Sequence, residues 1–84
     1  MKYKIRDLQF QDRYFPHGEG TIFKSKEEII EQLANYHDID FTGVDDEDNE
    51  LTIKQYFKFW EINGVESQLN WLLNYGEWAI EEVK

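Results

Sequence analysis

Oxygen-bearing side chains in residues 38–49 have the spacing of ligands for a calcium ion. A twelve-residue calcium loop takes oxygen ligands at positions 1, 3, 5 and 9, a glycine at position 6 and a bidentate glutamate at position 12. Gly43 falls at position 6, but position 12 is Asn49, and Glu50 follows one residue late. A calcium-binding module is therefore an alternative function of this chain and not the favoured one. Its candidate ligands are Asp38, Asp40, Thr42 and Asp46.

The nucleophiles and bases of the chain do not form a catalytic pattern. The chain has no cysteine and two histidines, His17 in a loop with proline and glycine and His37 at the end of a predicted helix. A cation at that helix end would be stabilised by the helix dipole. Ser25 has the position of a helix cap, and no base is recognisable as its partner. We therefore predict that the protein is not an enzyme and uses no cofactor.

The negative charge of the chain is concentrated in residues 27–50. The chain carries 18 Asp and Glu against 9 Lys and Arg, a net charge of −9, and this segment holds ten of the acids without any Lys or Arg. Carboxylates on one surface can take the place of nucleic acid phosphates on a basic protein, because the same Lys and Arg side chains attract both. The alternative is that the acids only keep a small protein soluble. The candidate partner-binding residues are Glu27, Glu28, Glu31, Asp45, Asp46, Glu47, Asp48 and Glu50.

Length and composition predict one small domain over residues 1–84. Aromatic side chains make up 17% of the chain and can supply a core without disulfides. The net negative charge argues against direct binding to nucleic acid or to an anionic membrane. We find no pattern of a membrane span or a signal peptide and expect a cytoplasmic protein. A structural subunit of an oligomer is a further alternative that the sequence leaves open.

Alternation of apolar and polar side chains predicts three strands. Residues 2–10 form the first, with a bulge or bend near Asp7, where the apolar residues change parity. Residues 21–23 form a short hairpin partner for it. Residues 77–83 form the last strand, with Glu77 and Glu81 expected opposite the basic residues of the first, because opposite charges on adjacent strands attract. The first and last strands are therefore predicted to be neighbours.

Capping residues predict three helices between the second and third strands. Ser25 and Thr52 each have Glu or Gln three residues later, the pattern of a capping box, and Asn63 is the predicted cap of the third helix. Gly64 and Gly76 are the predicted ends of the second and third helices. The order β-β-α-α-α-β predicts an α+β domain in which three helices pack on one face of a three-stranded antiparallel sheet.

The second helix has an apolar stripe that is broader than one face. Phe59 and Ile62 widen the stripe that contains Phe57 and Trp60. Either this helix is buried at the centre of the domain, or Phe59 or Trp60 is exposed as an anchor for a partner. We expect burial, because small domains need their aromatic side chains inside.

Composition and the two ends of the chain carry a resemblance. The chain opens with MKYKIRDLQF, closes with LNWLLNYGEWAIEEVK and contains seven Lys against two Arg. In these features it resembles small acidic proteins encoded by phages and prophages of low-GC Gram-positive bacteria. The resemblance implies a bacterial cytoplasmic setting and a host-directed or replication-associated role by protein binding. The partner would then be a basic protein of the host or of the phage.

Overall fold

The part of the chain that the structure describes contains two strands and three helices, which are joined by loops and turns. The computed structural model describes residues 1–10 and 12–84. The elements follow the order β-α-α-α-β, so the molecule is a small α+β fold. Their bounds are β1 (Lys2–Asp7), α1 (Lys26–His37), α2 (Ile53–Phe59), α3 (Val65–Gly76) and β2 (Trp78–Val83).

The strands from the two ends of the chain pair with each other. β1 runs antiparallel to β2, with Ile5 opposite Ile80 and Lys4 opposite Glu81. Side chains of successive strand residues point to opposite faces. Ile5 is accordingly fully buried in the core, whereas Arg6 forms a partly exposed ion pair with Glu81 on the other face. The structure confirms that the first and last strands pair, as predicted. It also confirms that Glu81 lies opposite basic residues of β1.

The described residues form a sheet of two strands, so the predicted three-stranded sheet is wrong. The segment predicted as a hairpin partner contributes one bridge, in which Phe23 and Tyr3 exchange two backbone hydrogen bonds of 2.8 Å each. The chain before it cannot extend this bridge into a ladder. Gly20 has a φ angle of 79°, which is not that of a strand, and the next groups of β1 are already bonded, since Ile5 O accepts from Phe15 N at 2.7 Å and Asp7 N donates to Arg13 O at 3.0 Å.

β1 ends at Asp7 and does not continue to residue 10. The Oδ1 atom of Asp7 accepts hydrogen bonds from the backbone N–H of Gln9 at 2.8 Å and of Phe10 at 3.2 Å. Such bonds form a turn and withdraw the N–H groups from strand pairing. The change of parity at Asp7 therefore marks a turn and not a bulge in a longer strand.

Side-chain caps at the starts of α1 and α2 are confirmed. The Oγ atom of Ser25 accepts a hydrogen bond from Glu28 N at 3.1 Å. Thr52 and Gln55 form a complete capping box at the start of α2. These bonds satisfy N–H groups that have no partner within the helix, which explains why both helices begin where they do.

The turn between α2 and α3 differs from the prediction. α2 already ends at Phe59. Gly64 does not end α2 but precedes α3 as its N-cap, with a φ angle of 87° that residues with a Cβ rarely adopt. The predicted stop at Gly64 and the predicted cap at Asn63 are therefore wrong. α3 ends at Gly76 as predicted, and Glu77 follows in the left-handed conformation.

α1 and α3 pack side by side and run in the same direction. Their first turns are joined by an ion pair between Lys26 and Glu66 at 2.7 Å, and in their last turns the rings of His37 and Tyr75 lie 5.0 Å apart. One apolar cluster fills the space between the helices and the strands. No helix of the described residues is long and apolar enough to cross a membrane. The buried apolar side chains are Ile5, Phe15, Phe23, Ile29, Ile30, Leu33, Ala34, Ile53, Phe57, Leu69, Leu72 and Leu73.

Candidate interaction surface

Residues 44–50, termed the acidic loop, are held together by Asp45. Its Oδ1 atom accepts hydrogen bonds from the backbone N–H of Asn49 at 3.0 Å and of Glu47 at 2.9 Å. These donors, Asn49 first, hold the pKa of Asp45 below its ordinary value because they stabilise the carboxylate. Asp45 is therefore a structural residue of the loop. The exposed acids of the acidic loop are Asp46, Glu47, Asp48 and Glu50.

The candidate calcium ligands do not form a metal-binding group. The Oδ1 atom of Asp38 accepts a hydrogen bond from Ile53 N at 2.8 Å, so this carboxylate helps to cap α2. Within residues 1–10 and 12–84, no three or more His, Cys, Asp or Glu side chains are grouped so that they could hold a metal ion. Calcium binding stays a prediction from sequence spacing alone. The remaining candidates, which are exposed, are Asp40, Thr42 and Asp46.

The three acids of α1 have different neighbours. Glu27 is exposed, whereas the Oε2 atom of Glu28 accepts a hydrogen bond from Lys24 N at 3.1 Å. Glu31 forms an ion pair with Lys54 of α2. Because one of these carboxylates is paired and another is bonded to the backbone, α1 does not present a row of three free charges. The acidic loop is the better candidate for an acidic contact surface.

Six aromatic side chains form a second feature, termed the aromatic surface. Phe59, Trp60 and Tyr75 keep 43%, 47% and 42% of their surface exposed. The expected burial of α2 is therefore wrong at its C-terminal end, although Ile53 and Phe57 are buried. The reason is that Phe59 lies two positions after the buried Phe57 and so on the other side of the helix, whereas Trp60 is the C-cap residue beyond the last helical position. The aromatic surface consists of Phe41, Tyr56, Phe59, Trp60, Trp71 and Tyr75.

The rings of the aromatic surface pack against one another. Trp71 and Tyr75 stack with centroids 5.1 Å apart and ring planes inclined by 8°. The Tyr56 ring lies 5.8 Å from that of Trp71 and 6.2 Å from that of Trp60. Phe41 contacts Tyr56 edge to face at 5.2 Å. These are favourable aromatic geometries, so the surface is already formed without a partner.

A hydrogen bond joins the aromatic surface to the acidic loop. The Nε1 atom of Trp60 donates to the backbone oxygen of Val44 at 3.0 Å. The preceding residue, Gly43, lies directly on the rings, since a Cβ atom there would stand 2.8 Å from Cδ2 of Tyr56 and would overlap the ring of Phe41. The acidic loop therefore begins on the aromatic surface, and the bridge between Val44 and Glu50 brings its last residue back beside its first.

Trp71 and Tyr75 were not among the residues that sequence reasoning singled out. The available signal was their spacing of four residues, which places them on one side of α3 and beside the buried leucines of that helix. Phe41 carried no comparable signal, because it lies in the connection between α1 and α2, where the pattern of side chains is irregular.

His37 is a buried polar side chain at the end of α1. Burial lowers the pKa of its imidazole below the ordinary value of 6.5, and this effect outweighs the opposite influence of Asp40 and Asp38. The neutral form of the imidazole is therefore favoured over the charged form. Burial of the ring therefore opposes the favourable effect that the helix dipole would have on a cation at this position.

Over residues 1–10 and 12–84, the chain is a small α+β protein with a two-stranded antiparallel sheet, three helices and exposed aromatic rings that are hydrogen-bonded to the first residue of an acidic loop. Comparison with protein families, with curated proteins and with solved structures finds no match for the chain. Its function is therefore inferred from its own residues and their geometry.

Proposed function

We propose that the chain is a non-enzymatic, cytoplasmic protein-binding domain that binds a basic protein through the aromatic surface and the acidic loop. The observation that carries this proposal is the hydrogen bond from Trp60 to Val44, because it ties an exposed ring to the first residue of the loop that bears the exposed carboxylates. A matching partner has an apolar centre for the rings and a border of Lys or Arg for the carboxylates.

The exposed rings support protein binding on energetic grounds. A small domain needs its large apolar side chains for the core, yet Phe59, Trp60 and Tyr75 remain in water. Burying them against a partner would recover the hydrophobic free energy that the fold leaves unused. Trp and Tyr often contribute most to the binding energy of protein interfaces, and rings that are already packed lose little entropy on binding.

The acidic loop supports a partner of basic character. Its exposed carboxylates attract the same Lys and Arg arrays that bind nucleic acid phosphates. We therefore propose a nucleic-acid-binding protein of a bacterial host or of a phage as the partner. Attraction of this kind raises the association rate and weakens as salt is added.

Capture of proteins from a Gram-positive bacterial lysate at low and at high salt tests the proposal. Three forms of the chain are compared: the wild type, Trp60→Ala and a loop variant. The loop variant leaves Asp45 and Asp48 unchanged, since Asp45 holds the loop together and Asp48 has a φ angle of 62°. A basic protein is expected to bind the wild type at low salt and to be lost with either variant and at high salt. The loop variant carries Asp46→Lys, Glu47→Lys and Glu50→Lys.

A charge control separates the acidic loop from net charge. Its three sites, Asp12, Glu19 and Glu82, are exposed acids outside residues 27–50, and their replacement by Lys changes the net charge as much as the loop variant does. This control is expected to keep the partner. Loss of the partner with the control and with the loop variant alike would contradict the proposal.

Light scattering tests the alternative that the chain is a subunit of an oligomer. The proposal expects a monomer, in which the aromatic surface is free for a different protein. A stable dimer that dissociates on Trp60→Ala would mean that a second copy covers the aromatic surface, and it would contradict binding of a basic partner there.

A further inference from the structure

A groove of about 450 Å³ lies between α1 and the loop that precedes it. One side of the groove is apolar. Phe15 and Phe23 are almost fully buried beneath it, Pro16 lies beside them, and the ring of Tyr36 meets Phe15 edge to face at 5.0 Å. Sites of this volume bind small ligands, and the groove is large enough for one long side chain with its neighbouring backbone.

The other side of the groove is polar and comes from a single stripe of α1. Glu28, Gln32 and Asn35 line the groove, and their spacing of four and three residues places them in a row along the helix. The hydrogen bond from Lys24 N to Oε2 holds the carboxylate of Glu28 in position. Glu28 is the one charged side chain among the described residues that line the groove.

We propose that this groove binds an arginine side chain of a basic peptide segment. The aliphatic stem packs on the apolar side of the groove, against Pro16 and Tyr36, and the guanidinium donates to the carboxylate of Glu28 and to the amide oxygens of Gln32 and Asn35. A guanidinium has five N–H donors in one plane, which suits a carboxylate followed by two carbonyl oxygens in a row. The groove shares no residue with the aromatic surface, so this inference goes beyond the proposed function and can fail or hold independently of it.

Shape and charge together select arginine. A guanidinium also stacks on aromatic rings, and Tyr36 offers such a ring, 48% exposed, at the edge of the groove. A lysine ammonium is a compact and strongly hydrated charge that cannot bond to several groups in one plane. A neutral side chain of the same shape leaves the carboxylate of Glu28 without its counter-charge. The expected order of affinity is therefore arginine, then lysine, then citrulline.

NMR titration of the isotope-labelled full chain tests the inference with three capped peptides, acetyl-Gly-Arg-Gly-amide and its lysine and citrulline counterparts. Citrulline has the shape of arginine without its charge. The arginine peptide is expected to shift the signals of Gln32, Asn35 and Tyr36 and to saturate in the millimolar range. The citrulline peptide is expected to bind at least about tenfold more weakly, because it lacks the charge-assisted bonds.

Glu28→Gln and Glu27→Gln form a matched pair of variants. Each removes one charge from the first turn of α1, but Glu27 lies outside the residues lining the groove. The Gln at position 28 keeps an oxygen that can accept the bond from Lys24. Glu28→Gln is expected to weaken binding of the arginine peptide about tenfold, whereas Glu27→Gln changes it less than about twofold.

The inference is overturned if the arginine peptide does not bind, if the lysine or citrulline peptide binds as tightly, or if both Gln variants weaken binding equally. Trp60→Ala serves as a separate reference, because it removes a central ring of the aromatic surface and leaves the groove unchanged. Its binding of the arginine peptide is expected to equal that of the wild type, whatever the outcome for the proposed protein partner.

Discussion

The indole of Trp60 donates a hydrogen bond of 3.0 Å to the backbone oxygen of Val44, and this bond ties the end of α2 to the first residue of the acidic loop. The two residues belong to different parts of the chain, since the start of α2 lies between them. Because the Trp60 ring is about half exposed, the bond can be removed without opening the core. The connection between rings and loop can therefore be tested separately from the fold.

Trp60→Phe keeps an aromatic ring and removes the donor. We expect it to lower the free energy of unfolding by about 1 kcal/mol, the usual net value of one hydrogen bond. Hydrogen exchange measured by NMR should become faster at Asp45 and Leu51, whose N–H groups bond to Asn49 O and Gly43 O within and beside the loop. Lys58→Ala changes an exposed residue at the same end of α2 and should leave this exchange unaltered. Equal exchange in wild type and Trp60→Phe would mean that the bond does not hold the loop.

Asp45→Asn should destabilise the acidic loop, while Asp46→Asn should have almost no effect. Asp45 accepts backbone hydrogen bonds and has a lowered pKa, whereas Asp46 is exposed. A surface substitution such as Asp46→Asn typically changes stability by less than about 0.5 kcal/mol. Thermal unfolding of the two variants, which have the same net charge, gives the comparison.

The effect of Asp45→Asn should depend on pH. A carboxylate with a lowered pKa in the folded state contributes stability above its ordinary pKa, near 3.8, and this contribution is lost as the pH falls through the folded-state value. The difference between wild type and Asp45→Asn should therefore shrink in strong acid. A difference that stays constant down to the lowest pH studied would assign the effect to something other than the charge.

Local sequence patterns predicted the parts of the fold that depend on neighbouring residues. The caps at Ser25 and Thr52 and the helix end at Gly76 each depend on a few adjacent positions, and all are present. The pairing of the two terminal strands was also predictable, because charges of opposite sign on β1 and β2 favour one arrangement, and Glu81 indeed lies opposite Lys4.

The predictions that failed concern segments in which local hydrogen bonds compete with hydrogen bonds to distant residues. Asp is a residue type that often interrupts strands. Only the structure shows that the side chain of Asp7 accepts hydrogen bonds from the N–H groups of Gln9 and Phe10 and so ends β1. Phe23 pairs with Tyr3 as a strand would, yet Phe15 and Arg13 take the backbone groups of Ile5 and Asp7 that a longer ladder would need. An alternating pattern cannot reveal such competition, since it records the faces of side chains and not the bonds of the backbone.

The sequence predicted the charge of the candidate site and, as an alternative to burial, the exposure of Phe59 or Trp60. The acidic run was visible in the sequence, but the aromatic surface joins rings from α2, α3 and the connection before them, and no single segment contains its pattern. The different roles of Asp45 and Asp46, adjacent residues of the same type, were likewise invisible. Such roles depend on which side chain turns back toward the loop backbone.

The stability of the fold should fall as the pH is lowered from about 7 to about 5, because of His37. Burial holds the pKa of the folded-state imidazole below 6.5, so the unfolded chain takes up a proton first as the pH drops below that value. The unfolded state is thereby favoured, by at most about 1.4 kcal/mol per pH unit for one group. Chemical denaturation at a series of pH values measures this slope.

His37→Gln should remove the slope between about pH 7 and pH 5, since Gln does not titrate. The matched control is His17→Gln, because His17 is exposed in the loop before α1. This control should keep the pH dependence of the wild type. A wild-type slope that persists in His37→Gln would assign the proton uptake to another group.

Gly76, the last residue of α3, lies against two rings. A Cβ atom at this position would stand 2.5 Å from Nε2 of His37 and would overlap the indole of Trp78. Two effects of Gly76→Ala therefore oppose each other. Helix propensity alone would stabilise the variant by up to about 1 kcal/mol. Overpacking against rings that cannot simply turn away costs about 1–3 kcal/mol.

Because the cost of overpacking is the larger of the two, Gly76→Ala should lower the free energy of unfolding by about 1 kcal/mol or more. Urea denaturation measures the change. Asn74→Ala is the control, since Asn74 is an exposed residue of the same helical turn, and its effect should stay within about 0.5 kcal/mol. If Gly76→Ala is instead more stable than the wild type, helix propensity prevails and the rings of His37 and Trp78 move apart at little cost.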